Sequence, residues 1–367
     1  MKALPIVICV IGTRPEAIKM APVIKTLRQA GWCNTYLLAT GQHKEIVKQT
    51  LEFFDLVPDI NLNVMTPNQS LNGLIAKILG IVDDLLSEIN PDCVVVQGDT
   101  TTVFALATAA FNRKIPIAHV EAGLRTGNLS NPFPEEGNRR LTSSISKWHF
   151  PPTESARQNL LREGIEEKNI HVTGNTVIDA LEFTLGQLPE NQLGHSDKQI
   201  LVTLHRRESF GDGVEQVLLA VSDLAKKYRD FKFVFPVHPN PNVRDRAYEI
   251  LASIQNVKLL PPLEYPAFVQ AMRDSLFIIT DSGGVQEEAP YLRKPVIVTR
   301  TQTERPEAVD AGLVMLVGAN RDSIVRASSR LIEDDEFYAK MSTGLSPYGD
   351  GQASLRISSF LEKRLST

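Results

Sequence analysis

Cysteine is scarce in this chain, which has Cys9, Cys33 and Cys93 among its 367 residues. The three thiols form no CxxC pair and no cluster with histidine, so the sequence excludes a disulfide framework and a cysteine-based zinc site. Cys9 and Cys93 lie within apolar runs. We therefore expect both to be core thiols.

Long apolar runs and an excess of positive charge are absent too. No uninterrupted apolar stretch is long enough to cross a bilayer, and the short run at the N-terminus leads directly into GTRPE without a signal-peptide cleavage site. The formal net charge of −4 argues against nucleic acid as the main partner, because binding a polyanion usually requires a strongly basic face. These absences predict a cytoplasmic protein that has neither a membrane nor nucleic acid as partner.

The apolar runs that are present are short, continuous and separated by helical patterns, which is typical of strands buried on both faces of a parallel sheet. Those of the first half are residues 6–11, 35–39, 93–97, 115–120 and 148–150. Those of the second half are residues 200–204, 231–237, 257–260, 276–280 and 295–298. They predict an α/β protein.

The length indicates two domains, since 367 residues are too many for one ordinary core. A polar segment, LPENQLGHSDKQ, separates the two series of strands. We expect two doubly wound, Rossmann-like domains, at 1–175 and 176–350, and a C-terminal helix at 351–367 that packs back on the first domain. Such domains bind ligands in a cleft at the carboxyl ends of their strands.

The first strand-to-helix turn carries the segment GTRPEAIKMAPVI. Thr13 can cap the helix, Pro15 suits its first turn, and Glu16 completes a capping box. Arg14 and Lys19 then lie near a helix N-terminus beside the end of a strand, where α/β proteins hold phosphate groups. The pattern indicates either a phosphate site or an ordinary turn with solvated charges.

A second candidate phosphate site is DSGGVQEEAPYL, which follows the apolar run at 276–280. Ser282, Gly283 and Gly284 let backbone N–H groups approach a phosphate, and Glu288 lies in the following helix. The alternative is a tight turn without a ligand. The segment lacks the GxGxxG fingerprint and the lysine of a P-loop, which disfavours a dinucleotide oxidoreductase and an NTPase.

Carboxylates stand at or near the ends of strands. Asp99 ends a buried strand in VVVQGDTTTVFA, and Glu121 follows another in HVEAGLRTG. Glu135 and Glu136 lie in the loop NPFPEEGNRR. Carboxylates that converge beside cations can differ in pKa and so divide the acid and base roles of one reaction. The alternatives are a helix cap for Asp99 and solvated loop charges for the other pair.

Basic side chains occupy further strand ends. The run LVTLHRRESFGD places His205 and Arg206 at the end of the second half's first strand, where a cation can stabilise a departing diphosphate. His238 ends another strand, and Arg305 lies near the last one. Structural ion pairs for Arg206 and a capping role for the Arg305 loop are the alternatives. We interpret His119 as a core histidine whose hydrogen bonds are satisfied.

Taken together, the motifs resemble the non-hydrolysing UDP-N-acetylglucosamine 2-epimerases. The matching segments follow one another along nearly the whole chain: GTRPEAIKMAPV, TGQH, QGDT, HVEAGLRT, PFPEEGNRR, VTGNTVIDAL, HRRESFG, PVHPNP, DSGGVQEEA and TERPEAV. The resemblance implies a GT-B fold that closes on a UDP-sugar, a homodimer, and no metal or redox cofactor. It also implies interconversion of UDP-GlcNAc and UDP-ManNAc for cell-surface polysaccharide precursors, by elimination of UDP to 2-acetamidoglucal and readdition.

The resemblance assigns roles to individual residues. Those implied in catalysis are Asp99, Glu121, Glu135 and His205. Those implied in binding the UDP-sugar are Arg14, Lys19, Phe268, Ser282, Gly283, Gly284, Glu288 and Arg305. A second UDP-GlcNAc activates many bacterial members, and the positions that match this allosteric region are Gln42, His43, Gln69, Glu136, Arg206 and His238.

The match is incomplete at a few positions. Many members have arginine where this chain has Asn68, and some have glutamine at Glu45, which weakens the implied allosteric activation. Leu263 replaces a glutamine that some relatives place near uracil, so contacts to the base would rest on the backbone and Phe268. The alternatives are a GT-B glycosyltransferase, a hydrolysing 2-epimerase and a non-catalytic sugar-nucleotide sensor. The set of acids disfavours the glycosyltransferase and the sensor.

Overall fold

The computed structural model describes residues 3–41, 44–66, 69–189, 198–204 and 212–366. The chain divides into two units, Met1–Glu182 together with Tyr348–Thr367, and Phe183–Pro347. Residues outside the described ranges include Gln42, His43, Asn68, His205 and Arg206. The roles that the family resemblance implies for them therefore stay predictions.

The first unit contains a sheet of six parallel strands in the order β3-β2-β1-β4-β5-β6. The strands are β1 Ile6–Ile11, β2 Asn34–Ala39, β3 Ile60–Asn61, β4 Cys93–Gln97, β5 Ile117–Val120 and β6 Trp148–Phe150. The strand order reverses between β1 and β4, and ligands of doubly wound sheets bind outside the carboxyl ends of the strands at such a reversal. The turns after β1 and β4 therefore occupy the expected ligand position.

The helices of this unit pack their apolar faces on the sheet. Their bounds are α1 Arg14–Ala30, α2 Lys44–Phe53, α3 Leu71–Ile89, α4 Thr101–Asn112, α5 Glu135–Ile145 and α6 Glu154–Arg162, with a short 3-10 helix at Glu167–Asn169. In α3 every fourth residue from Leu74 to Leu86 is buried, as the apolar spacing predicts. Cys9 in β1 and Cys93 in β4 are buried as well, which confirms both as core thiols.

The second unit repeats this arrangement, with six parallel strands in the order β12-β11-β10-β7-β8-β9. The strands are β7 Gln199–Thr203, β8 Lys232–Pro236, β9 Val257–Leu260, β10 Phe277–Thr280, β11 Val296–Val298 and β12 Val314–Leu316. The helices are α8 Asp212–Lys227, α9 Pro241–Leu251, α10 Tyr265–Arg273, α11 Gly283–Tyr291, α12 Pro306–Asp310, α13 Arg321–Glu333 and α14 Asp335–Ser342. Here the order reverses between β7 and β10, so the turn after β10 has the position of a ligand site.

Two more helices lie where the chain passes between the units. The division falls within one of them, α7 Thr176–Gln187, and the other, α15 Ala353–Leu365, belongs to the first unit. The carboxylate of Asp179 accepts hydrogen bonds from the N–H groups of Ala353 at 3.2 Å and Ser354 at 2.8 Å. Asp179 therefore caps the last helix and holds it on the first unit.

The prediction of two Rossmann-like α/β sheets is confirmed. Two strands outside the predicted runs, β3 and β12, lie at the outer edges of the two sheets. β3 contains two residues, too few for a hydrophobic pattern, and its pairing with β2 makes it a strand. β12 contains three residues and lies in the apolar run LVMLV at 313–317, a signal that the strand prediction missed.

Candidate functional site

The turn between β1 and α1 forms as predicted, with Thr13 before the helix and Pro15 in its first turn. The carboxylate of Glu16 accepts hydrogen bonds from the N–H groups of Gly12 and, at 2.9 Å, of Thr13. Arg14 is the first residue of α1 and is half-buried. A helix N-terminus and a cation thus stand together at the carboxyl end of β1, an arrangement that suits an anion.

Glu16 is buried more deeply than a capping role requires, with 2% of its surface exposed. Its other oxygen accepts a hydrogen bond from the Thr100 hydroxyl at 2.6 Å, which links the β1–α1 turn to the residue after Asp99. Burial raises the pKa of Glu16 to about 7, although the hydrogen bonds to its carboxylate favour the charged form. The charge of Asp99 also acts to raise it. Glu16 is therefore a buried acid that titrates near neutral pH beside a predicted catalytic aspartate.

We expect the Glu16→Gln variant to gain stability relative to the wild type as the pH rises. The pKa of Glu16 is raised from 4.5 to about 7, so its contribution to stability is fully present below the lower value and is lost as the pH rises through the higher one. Glutamine does not titrate. The difference in the free energy of unfolding should therefore shift in favour of the variant by up to about 3 kcal/mol between about pH 5 and about pH 8. Urea unfolding at both pH values measures the shift, and a constant difference would contradict the raised pKa.

Asp99 follows β4 and a glycine in the left-handed region, Gly98, with a φ of 79°. Thr100 caps helix α4, because its Oγ1 accepts a hydrogen bond from the Val103 N–H at 3.3 Å. The capping role considered for Asp99 thus belongs to its neighbour. The Asp99 side chain, 21% exposed, instead pairs with Arg139, whose Nη2 lies 2.6 Å from Oδ2.

Glu121 comes directly after β5 with a φ of 61°, in the left-handed region that non-glycine residues rarely adopt. Its buried carboxylate forms an ion pair with Lys19 of α1 and accepts a hydrogen bond from Asn175 Nδ2 at 3.2 Å. Such backbone strain costs on the order of 1–3 kcal/mol and concentrates at functional sites. Through the ion pair, the structure places Lys19 beside a predicted catalytic acid. The family resemblance implies a different role for this lysine, a contact with phosphate.

Glu135 and Glu136 form the first turn of α5, which corrects their predicted placement in a loop. Pro134 precedes the helix, and carboxylates are favoured in the first turn by the partial positive charge there. Glu136 is fully buried, and its oxygens accept hydrogen bonds from the N–H groups of Thr126 at 3.0 Å and Gly127 at 3.2 Å. Glu135 is half-buried. Glu136 thus holds the preceding loop against the helix.

In the second unit, the turn after β10 leads into α11 as predicted, with Ser282 before the helix and Gly283 and Gly284 as its first residues. The guanidinium of Arg305 packs against Gly283, where a Cβ would lie 2.6 Å from Nη1. A side chain at Gly283 would therefore displace the cation. Arg305 and the N-terminus of α11 together form a second arrangement that suits an anion.

Arg305 is held in place by two carboxylates. It is 6% exposed, its Nε lies 2.6 Å from Glu287 Oε1, and its Nη1 binds Glu304. Arg300 also pairs with Glu304, at 3.1 Å. Because a guanidinium is a rigid planar group, two partners at different nitrogens fix its orientation.

Glu288 lies on α11 and is buried, and the Tyr265 hydroxyl donates a hydrogen bond to its Oε1 at 2.7 Å. Phe268 is half-buried on α10, three residues after Tyr265 and so on the same face of that helix. Tyr265 therefore binds Glu288 and lies on the same helix face as Phe268, and the resemblance implies a nucleotide contact for both of these residues.

Gln69 and His238 match the allosteric region of the family, and each supports its own turn. Gln69 Oε1 accepts a hydrogen bond from the Thr66 N–H at 3.2 Å, just before α3. His238 follows β8, and its Nδ1 accepts a hydrogen bond from the Asn240 N–H at 3.2 Å. Partial burial lowers the pKa of His238. Gln69 belongs to the first unit and His238 to the second, so a shared ligand stays a prediction.

His119 is a core histidine, as predicted, but its hydrogen bonds are only half satisfied, because its buried Nδ1 has no partner among the described residues. It is 1% exposed, its Nε2 lies 2.8 Å from the carbonyl oxygen of Gly98, and burial lowers its pKa to about 3. It is therefore neutral at physiological pH and supports the turn before Asp99.

Sequence reasoning missed the residues that hold the acids in place. Asn138 and Arg139 contact Asp99, and a partial signal for them existed, since they follow Glu135 by three and four residues in the matched segment PFPEEGNRR. Asn175 lies in the matched segment VTGNTVIDAL, but nothing in the sequence pairs it with Glu121, which is 54 residues away.

Neither a metal cluster nor a membrane-spanning helix is found in the described part of the chain. No group of three or more histidine, cysteine, aspartate or glutamate side chains there could hold a metal ion. Its helices are all too short or too polar to cross a bilayer.

Comparison with known proteins gives matches over nearly the whole chain. The family model described as UDP-N-acetylglucosamine 2-epimerase matches residues 25–362. A UDP-N-acetylglucosamine 2-epimerase from Neisseria meningitidis serogroup A is 50% identical over 95% of this chain and 96% of its own. The crystal structure of UDP-GlcNAc 2-epimerase from N. meningitidis, bound to UDP-GlcNAc, has a TM-score of 0.94 and 49% identity, and covers 98% of this chain and 100% of that one.

A more distant structure bears on the fold alone. MurG from Acinetobacter baumannii has a TM-score of 0.62 at 15% identity, over 98% of this chain and 100% of its own. Together with the two six-stranded parallel sheets, this likeness confirms the expected GT-B-like fold class. From the family model and the 50% identity over nearly the full length, the chain belongs to the UDP-N-acetylglucosamine 2-epimerase family of isomerases.

Proposed function

We propose that this protein interconverts UDP-GlcNAc and UDP-ManNAc by eliminating UDP and adding it back. The observation that carries the proposal is the pair of carboxylates at the ends of neighbouring strands, Asp99 after β4 and Glu121 after β5, each ion-paired with a buried cation. The substrate is supported by the N. meningitidis relative, whose structure is bound to UDP-GlcNAc.

The reaction has to move a proton at C2 that is not acidic. In the first step the C2–H and C1–O bonds break and a C1=C2 double bond forms, which gives 2-acetamidoglucal and UDP. In the second step UDP adds to C1, and a proton reaches the opposite face of C2. Departure of the diphosphate develops positive charge at C1 and makes the C2 proton easier to remove, so stabilising the diphosphate is part of catalysis. Both faces of C2 need a proton-transfer group.

The described residues offer groups for each task. We assign proton transfer to Asp99, Glu121 and Glu135 as a set. The diphosphate would be neutralised by cations and helix N-termini, namely by Arg14, Lys19, Ser282, Gly283, Gly284, Arg305 and, by the resemblance, His205. Glu288 and Phe268 would contact the nucleoside. Buried ion pairs fix the positions of Lys19 and Arg305 beside the two helix N-termini.

Incubation with UDP-GlcNAc alone in heavy water, followed by proton NMR, tests the proposal. We expect UDP-ManNAc to appear without an acceptor and deuterium to enter C2, with little free UDP. A requirement for an acceptor would indicate a glycosyltransferase. Stoichiometric release of UDP and ManNAc would indicate a hydrolysing 2-epimerase, and an unexchanged C2 proton would indicate a sugar-nucleotide sensor. Each of these results would contradict the proposal.

The resemblance also supports a homodimer and a role in supplying precursors of cell-surface polysaccharides, and both are part of the proposal. Activation by a second UDP-GlcNAc has weaker support, because Asn68 and Glu45 depart from the family pattern.

A further inference from the structure

Arg139 lies between two carboxylates of the first unit. Its Nη2 is 2.6 Å from Asp99 Oδ2, and its Nη1 is 3.2 Å from Glu136 Oε2. The arginine side chain is 6% exposed and that of Glu136 is fully buried, so solvent screens this bridge little. The bridge joins a predicted catalytic acid to a buried structural one.

The far end of the bridge is anchored by the backbone. The oxygens of Glu136 accept hydrogen bonds from the N–H groups of Thr126 and Gly127, which fixes the carboxylate against the loop before α5. Since the planar guanidinium presents its nitrogens in a rigid fork, a fixed partner at Nη1 also fixes the direction of Nη2. Arg139 therefore fixes the position of the Asp99 carboxylate.

Helix α5 contacts Asp99 at a second point. Asn138 Nδ2 donates a hydrogen bond to the backbone oxygen of Asp99 at 2.9 Å. Glu135, the first residue of the same helix, precedes Arg139 by four residues and so lies on the same face. The helix that carries one proton-transfer candidate thus holds the backbone and the carboxylate of another.

We propose that Arg139 is a positioning residue for proton transfer at C2. Arg139 holds Asp99 through Oδ2, so proton exchange falls to the other carboxylate oxygen, Oδ1. The ion pair also sets the angle at which Oδ1 approaches C2 of the sugar. This inference rests on the proposed epimerisation. It assigns to Arg139 an effect on turnover and none on the binding of UDP.

Arg139→Gln and Arg139→Lys test this role, with Arg140→Gln as the matched control. Arg140 is the next residue of the helix and pairs with the same Glu136 carboxylate, with its Nε at 3.4 Å from Oε1, but its ion pair does not include Asp99. For each variant, kcat and KM for UDP-GlcNAc, C2 exchange in heavy water, the Kd for UDP and the melting temperature are measured. Wild-type epimerisation in the same assay tests the proposed function separately.

We expect Arg139→Gln to lower kcat and C2 exchange about 100-fold, because small errors in the position of a reacting group have effects of this size. KM and the Kd for UDP should stay within about threefold, as expected when only the transition state loses an interaction. Arg139→Lys keeps the charge but not the fork, so it should recover part of the lost turnover. Arg140→Gln should resemble the wild type.

Two results would overturn the inference while leaving the proposed function intact. One is an active wild type in which Arg139→Gln and Arg140→Gln have the same kcat. The other is a loss of UDP affinity in proportion to the loss of kcat. If Arg139→Gln does not fold, Arg139→Lys decides the question: a lower kcat at an unchanged melting temperature supports the role, and an unchanged kcat overturns it.

Discussion

The Asp99→Asn variant is expected to lose C2 deuterium exchange while it still binds UDP. Asparagine has nearly the shape of aspartate but cannot accept the C2 proton, so the proposed role predicts a fall in kcat on the order of 10²–10⁴. The affinity for UDP should stay within about threefold, because the substitution leaves the phosphate-binding candidates unchanged. Proton NMR in heavy water measures the exchange, and titration calorimetry measures the binding of UDP.

Asp92→Asn is the matched control, since Asp92 precedes β4 at the opposite end of the same strand. Its carboxylate accepts a hydrogen bond from the Ile6 N–H at 2.8 Å, at the amino edge of the sheet. We expect this variant to exchange deuterium like the wild type. Near-normal turnover in Asp99→Asn would remove Asp99 from the chemistry, and equal losses in both variants would show damage to the sheet.

The Lys19→Met variant should lose both stability and activity. The Lys19 and Glu121 side chains are 7% and 6% exposed, so removing the lysine leaves a carboxylate in a buried position without its cation. Removing one partner of a buried ion pair typically costs about 3–5 kcal/mol. We expect a loss of this size in urea unfolding. Turnover should fall about 100-fold or more, because Glu121 loses the group that orients it.

The double variant Lys19→Met with Glu121→Gln separates the two effects. It removes both charges and replaces them by neutral side chains of similar volume, so most of the lost stability should return. Activity should not return, because the acid itself is gone. A double variant no more stable than Lys19→Met would show that removing the lysine charge beside Glu121 is not the cause of the lost stability. A double variant that regained turnover would remove Glu121 from proton transfer.

Most strands can be predicted from the sequence because each lies in a short apolar run, and central strands such as β1, β4 and β5 are buried on both faces. The runs at 6–11, 93–97, 148–150 and 257–260 coincide with β1, β4, β6 and β9. Other predictions differ by one or two residues at the ends. Two strands, β5 and β11, begin later than predicted, just after Pro116 and Pro295. A proline has no N–H group to donate to a neighbouring strand.

The candidate site is only partly predictable, and its acids are the easier part. Asp99 and Glu121 lie directly after neighbouring parallel strands, and residues after such strands meet at one edge of the sheet. Their cations are harder to find. Lys19 precedes Glu121 by 102 residues, and Arg139 lies in a different helix from the one that follows Asp99. No pattern in a single sequence indicates such pairs.

The sequence by itself determined the two parallel sheets, the start of α1 and the edge at which the candidate acids stand. These features depend on hydrophobic runs and on capping residues that are neighbours in the chain. Only the tertiary structure decided which charged side chains form ion pairs and which acidic side chains become buried. Glu16 illustrates the difference: the local pattern makes it a helix cap, but burial beside Asp99 raises its pKa to about 7. Burial and charge pairing depend on residues far apart in the chain, so they exist only once the fold has formed.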